Sequence, residues 1–352
     1  MPAPPRYHAA ALREFAHALL ARAGVRDDIA GDVAHVLVDA DLLGHTTHGL
    51  ALLAPYLGEI EKGTMLRAGE PEVVNQRPAA QLWDGRRLPG PWLTLRAFDV
   101  AAAMAQTYGT GTVVIRRSHH IACLAAYLPR ITARNLMALL FCSDPSGCSV
   151  APFGAVTPVF TPNPMAAGIP TSGDPILLDI SASYTTNGLT GRLYQAGGRL
   201  PHPWIQDAQG NATDDPAVLF NAPKGTLLPL GGLDAGHKGY SLALLVEAAT
   251  AALAGFGRAE PSEGWGATVF VQVLDPEAFG GAGGYTHETD WLSDACHRAT
   301  PRPGGPPVRL PGERGMRLMR EQEKEGVLLF DGIMASLAPW SAKLGVALPN
   351  HV

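Results

Sequence analysis

Cysteine is scarce in this chain: four among 352 residues, at 123, 142, 148 and 296, with no two spaced as CxxC. No disulfide framework is expected, and a reduced, cytoplasmic compartment follows. No basic-then-apolar leader opens the sequence, so export is not expected either. Charge is sparse as well, at 17% Asp, Glu, Lys and Arg with a net charge of −5. Without a Lys/Arg run or a basic-aromatic stripe, nothing would grip a polyphosphate, and no nucleic-acid partner is expected. Apolar runs such as LALLVEAATAALAGFG are short and interrupted by Glu247, so no membrane span is expected. Three fingerprints are missing: GxGxxG after a strand, GxxxxGK[ST], and GxSxG. Their absence removes the Rossmann phosphate loop, the P-loop and the serine-hydrolase elbow.

What remains is a globular chain with 46% hydrophobic residues, long enough for two lobes or one large domain with an insertion. HAAALREFAHALLARAG and RDDIAGDVAHVLVDADLLG have apolar residues at helical spacing, the second with acids in its first turn. ALLAPYLGEIEKGTM reads as a third helix ended by Gly63. The texture then changes to short β-rich runs, AAQLWDG, GTVVIRRS, MALLFCS, PILLDISAS and ATVFVQVLD, which mark a sheet. Helix-like WLTLRAFDVAAAMAQTYG, IACLAAYLPRITARN and GYSLALLVEAATAALAG lie between them, so the class is α/β. A Pro/Gly linker, RATPRPGGPPVRLPGERG, precedes a charged helix, MRLMREQEKEG, and the C-terminal stretch is expected to pack on the N-terminal helices.

Titratable residues gather at element ends. GHTTHG places His45 and His48 after the second helix; the histidines are three apart with no Glu between them, so it is not HExxH and no metal is expected. His119 and His120 follow the strand GTVVI, where ligands collect in α/β folds, and an imidazole there suits proton transfer or packing. Asp179 ends the apolar part of PILLDISAS, as an orienting carboxylate or a turn residue. His237 and Lys238 open an apolar helix, where a cation beside free N–H groups favours an anion and is otherwise merely solvated.

Six stretches in order resemble the type-2 malate/L-lactate dehydrogenase family, which includes ureidoglycolate and sulfolactate dehydrogenases, diketogulonate reductase and the cyclic ketimine reductases. They are GHTTHG (RGxxSHG in the family), RRSHHIA (NSxHFG), TPNPMAAGIP (GTNPxAxxxP), LLDISAS (LDxATS), HKGYSLALLVE (KGYGLALxVE) and RLPGER (PGE). The resemblance implies a non-Rossmann NAD(P)-binding central sheet domain, residues 75–309, and a helical domain built from both chain ends, residues 1–74 plus 310–352. It implies a homodimer acting on a small-molecule substrate. It assigns proton donation to His48, proton acceptance to His120, and a place beside nicotinamide and substrate to Asp179. Ser143, Asn163, Ser181, His237, Lys238, Pro311, Gly312 and Glu313 fall on nucleotide-associated positions. The cofactor is NAD or NADP, with NADPH favoured.

Two departures bear on the substrate. Leu43 replaces the family's Arg before the glycine, and Leu52 stands where many members carry an Arg four residues after the histidine. That second Arg suits a bidentate carboxylate clamp. The expected function is therefore hydride transfer at C=O/CH–OH or C=N/CH–NH. Reduction of a cyclic imine, acting on a less acidic or carrier-tethered substrate, and a non-catalytic dimeric relative are the alternatives.

Overall fold

The computed structural model describes residues 5–260 and 264–352. Chain order runs β1 (Arg6–Tyr7), α1 (Ala9–Arg22), α2 (Asp27–Leu42), α3 (Leu53–Lys62), β2 (Glu72–Arg77), β3 (Ala80–Asp84), α4 (Gly90–Tyr108) and β4 (Thr110–Ser118). There follow α5 (Leu128–Thr132), β5 (Met137–Ser143), β6 (Pro164–Ile169), β7 (Ile176–Ser181), α6 (Asn187–Gln195), β8 (Ile205–Gln206), β9 (Ala212–Thr213) and β10 (Thr226–Leu227). The last elements are α7 (Gly232–Ala235), α8 (His237–Glu247), β11 (Ala267–Leu274), α9 (Ala282–Arg298), α10 (Glu313–Glu325), β12 (Val327–Leu328) and α11 (Ile333–Leu344).

Seven strands form the central sheet in the order β2-β3-β4-β11-β5-β6-β7, and only β3 and β4 run parallel as neighbours. The class is α/β, as the sequence implies. All five apolar runs read as strands lie in this sheet. Its middle strand β11 is buried along nearly its whole length, so its sequence is almost continuously apolar rather than alternating. The three-stranded sheet β10-β8-β9 sits over a second, smaller core that contains Val150, Phe160, Leu200, Ile205, Leu227 and Ala243.

The main core runs from α1, α2 and α3 through α4 into the sheet, and includes Val327, Ile333 and Leu337 from the C-terminal stretch. The two chain ends also pair as strands, Tyr7 opposite Val327. Gln322 of α10 is buried; its amide donates to Asp41 O and Leu42 O, each at 3.0 Å, and its Oε1 accepts from Leu328 N–H at 2.8 Å. One side chain thus satisfies the Leu42 carbonyl, adds a second donor to Asp41 O, which already accepts from Gly44 N–H, and fixes β12. Among the described residues, no helix is long and apolar enough to cross a membrane.

Two expected helices need correction. IACLAAYLPRITARN is not helical from its start: residues 119–123 are irregular, a 3₁₀ turn spans Leu124–Tyr127, and only α5 is α-helical. Ala122 has φ +60°, which no right-handed helix accommodates. The GYSLALLVEAATAALAG segment is α-helical to Glu247 and then widens into a π turn over Ala248–Ala252.

Candidate active site

Four chain segments converge at one end of the sheet: the loop after α2, the loop after β4, strand β7 and the start of α10. The loop 44–49 is moulded around a buried carboxylate. Asp41 Oδ2 accepts from Leu50 N–H at 2.7 Å, while Asp41 Oδ1 is buried with no hydrogen-bond partner. Gly49 lies flat on this group, since a Cβ there would come within 2.4 Å of Asp41 Cγ and both oxygens. The second glycine of GHTTHG is therefore a steric requirement. Burial pushes the Asp41 pKa up to about 7, opposed by the Leu50 N–H and by Arg192.

The histidines after β4 are set by α4. A Cβ on Gly90 would fall 2.3 Å from His119 O and 2.4 Å from His120 O, so the first turn of α4 presses directly on their backbone. His120 Nδ1 accepts from Ala122 N–H at 3.2 Å and lies 2.8 Å from Tyr56 Oη. With a backbone donor on Nδ1, the neutral ring carries its proton on Nε2. His119 is fully buried; its Nδ1 accepts from His120 N–H at 2.9 Å, and its Nε2 has no hydrogen-bond partner, with Glu59 Oε2 3.8 Å away.

His48 and His120 stack, with ring centroids 5.9 Å apart and an interplanar angle of 25°. Trp265 packs against His120 at 4.6 Å and against Tyr56 at 5.6 Å. Burial lowers the pKa of both histidines. For His48 the Asp179 carboxylate pulls in the opposite direction, while His45 and Arg192 reinforce the lowering. For His120, His48 and His119 add to the effect of burial. His48 Nδ1 lies 2.7 Å from Thr47 Oγ1.

Asp179 Oδ2 accepts from Ala125 N–H at 2.8 Å. It lines a cavity of about 590 Å³ together with His45, Thr46, Ala125, Pro311 and Gly312. Asp41, Arg6 and Arg314 are also on the wall. His48 and His120 are not wall residues; the nearest wall positions along the chain are Thr46 and Ala125.

The remaining sequence candidates are elsewhere. Ser143 and Asn163 are buried and engaged with Glu247: Ser143 Oγ donates to Glu247 Oε1 at 2.8 Å and Asn163 Nδ2 at 2.9 Å, while Arg258 Nε donates to the same oxygen at 2.9 Å. Asn163 has φ +46°, a left-handed conformation that asparagine tolerates. Ser181 donates to Ser183 O at 2.8 Å in the turn after β7. Glu313 accepts from Leu310 N–H at 3.1 Å and contacts His297. His237 and Lys238 are exposed at the first turn of α8, and neither is on the cavity wall.

Sequence reasoning missed Asp41, Tyr56, Trp265 and Arg192. Arg192 of α6 donates to Thr46 Oγ1 at 2.9 Å and also to Thr46 O, with its guanidinium 4.0 Å over the Phe330 ring. No local motif announces any of them: Tyr56, Trp265 and Arg192 meet the site through long-range contacts, and Asp41 through a loop that folds back on it.

Known proteins resemble this chain over most of its length. An L-lactate dehydrogenase of Cupriavidus necator is 29% identical over 96% of this chain and 97% of its own length. A (2R)-3-sulfolactate dehydrogenase (NADP(+)) of Chromohalobacter salexigens is 32% identical over 82% of this chain and 84% of its own. The solved structure of malate dehydrogenase from Pyrococcus horikoshii superposes with a TM-score of 0.89 at 25% identity, covering 99% of this chain and 97% of that one. A family model described as malate/L-lactate dehydrogenase matches residues 7–338. The chain belongs to the malate/L-lactate dehydrogenase family and is an enzyme, an oxidoreductase.

Proposed function

We propose that the protein transfers hydride between a nicotinamide cofactor and a small substrate at C=O/CH–OH or C=N/CH–NH, with His48 supplying the proton to oxygen or nitrogen in the reductive direction. The observation that carries this reading is the stacked His48–His120 pair together with Asp179, which acts on the charge of His48 and lines a 590 Å³ cavity. The donor set fits such a cofactor. Asp179 offers an acceptor, Arg6 and Arg314 offer cations suited to phosphates, and the Pro311–Gly312 turn offers backbone groups. The cofactor, NAD or NADP with NADPH favoured, would supply the hydride chemistry when bound.

The chain's own residues handle the proton. Burial makes His48 a readier acid once charged, and Asp179 keeps the charged form accessible. His120, held neutral and braced by Tyr56 and Trp265, orients His48 through the stack. His237 and Lys238 would serve the cofactor from the start of α8, Lys238 through its charge. Ser143, Asn163, Ser181 and Glu313 act by shaping the cofactor side rather than as free ligands, since their polar groups already have partners.

A cyclic imine substrate is the second reading. Leu43 is buried with Ala40, Cys123 and Ala125, and Leu52 is half-buried against the main core, so neither position offers a cation. We also propose residues 1–74 plus 310–352 and 75–309 as the two domains, and a cytoplasmic homodimer. The exposed Leu244, Leu245 and Leu253 on and just after α8 give a surface that a second copy could cover. Titrating NADH and NADPH while following nicotinamide fluorescence, then screening 2-oxo acids and cyclic imines for turnover, tests the main reading. Cofactor binding without turnover of any carbonyl or imine substrate would favour a non-catalytic relative.

A further inference from the structure

Three ligand-type side chains far apart in sequence meet beside the cavity. His45, Cys123 and Asp179 each direct one donor atom inward, and the three atoms lie within 4.8 Å of one another. Cys123 Sγ is 3.6 Å from Asp179 Oδ2. His45 and Asp179 line the cavity, and Cys123 is buried next to them. A tetrahedral zinc(II) ion with bonds of about 2.0–2.3 Å holds its ligand atoms about 3.3–3.8 Å apart, so the cluster has to contract by at most about 1.5 Å. GHTTHG did not suggest this, because only one of its histidines takes part.

We infer that His45, Cys123 and Asp179 form a binding site for a thiophilic divalent cation, zinc(II) or cadmium(II), through one imidazole nitrogen, one thiolate and one carboxylate. The donor set selects against magnesium and calcium, which take oxygen ligands. As the metal–sulfur bond forms, the Cys123 proton leaves to solvent, and thiolate plus carboxylate balance the two positive charges. Three protein ligands leave the fourth position to cavity water, so the site is open and exchangeable rather than a closed structural one. The bound cation takes up Asp179, the acceptor that the cavity wall offers to the cofactor, and so inhibits the enzyme. That inhibitory consequence rests on the proposed function; the binding does not.

The test uses full-length protein in which the exposed Cys148 and the half-buried Cys296 are alanine. Cadmium chloride is titrated while the ultraviolet thiolate-to-cadmium charge-transfer band is recorded. The expected result is one equivalent per chain, loss of the band in Cys123→Ala, and binding weakened more than about tenfold in His45→Asn. Cys123→Ser provides a second, nearly isosteric variant, and thermal melts without metal confirm that each variant folds. A parent protein with no band, a band that survives Cys123→Ala and Cys123→Ser, or unchanged affinity in His45→Asn overturns the site. Zinc chloride is then added to turnover assays, where chelator-reversible inhibition of the parent and resistance of Cys123→Ala are expected. Spectroscopic binding with unaltered turnover overturns the role of Asp179 and leaves the cation site standing.

Discussion

The Arg192 guanidinium donates to Thr46 Oγ1 at 2.9 Å, tying α6 to the loop that carries His48 across 146 positions of sequence. Its stacking on Phe330 fixes the other side of the same group. Arg192→Met should therefore lower kcat more than it alters cofactor KM, by roughly tenfold or more for a charge-assisted bond. Arg192→Lys should recover part of the loss, since a point charge reaches one Thr46 oxygen but not both. Steady-state kinetics of the two variants check this; equal kcat values for Met and wild type would remove Arg192 from loop positioning.

His48→Ala is expected to fold normally and lose roughly 10²–10⁴-fold in turnover, the usual contribution of a general acid. Turnover within about threefold of wild type at saturation would show that another group delivers the proton.

Asp179 raises the His48 pKa against the lowering by burial. Asp179→Asn should therefore shift the His48-dependent limb of the kcat/KM profile to lower pH, besides reducing the maximum. A pH–rate series that leaves this limb in place would uncouple the two residues.

Stability should show two opposing pH dependences. Burial lowers the His119 pKa to about 4, against an ordinary imidazole value near 6.5. In that window the unfolded chain binds more protons, so His119 costs stability as the pH falls from about 6.5 toward 4. Asp41, pushed up to about 7 from about 3.9, does the reverse: the native state binds more protons, and stability is lost as the pH rises toward 7. Each effect is on the order of a few kcal/mol across its window. Relative to wild type, His119→Gln should lose less stability on acidification and Asp41→Asn less on moving from pH 4 to 7. Urea midpoints measured across pH 4.5–7.5 decide; variant and wild-type curves running parallel would refute the assignment.

Leu52 sits on the 3₁₀ turn Leu50–Leu52, half-buried against the main core. If the pocket lacks a carboxylate clamp there, wild-type protein should handle pyruvate poorly, and Leu52→Arg should improve kcat/KM by roughly ten- to a hundredfold. Efficient pyruvate reduction by the unmodified enzyme would assign the clamp to another cation, with Arg314 on the cavity wall the first candidate.

The strands legible in the sequence are those that carry an apolar run, from the buried β11 to the edge strand β7. β2 escaped notice because EVVNQR is exposed at every position on a sheet edge, and β6 because it opens with Pro164 and continues with small residues rather than β-branched ones. The α5 region reads as one long helix because Ile121, Leu124 and Leu128 have helical spacing, but spacing carries no information about the positive φ at Ala122. His48, His120 and Asp179 were legible through motif order. Asp41 was not, since its role depends on a glycine eight residues later lying against it. Cys123 read as an isolated thiol until folding placed it by His45 and Asp179.

The Gln322 amide on the last carbonyls of α2 has a consequence for synthesis on the ribosome. Loop 44–49 is translated well before the groups that brace it, from Arg192 through Gln322 to Phe330. For most of translation the nascent chain can form α1 and α2 but lacks what fixes His48. Contacts of such long sequence separation close late in folding. Catalytic competence should therefore be acquired only after residues 192–330 have been translated, and chains stalled or nicked before that point should retain helices while remaining inert.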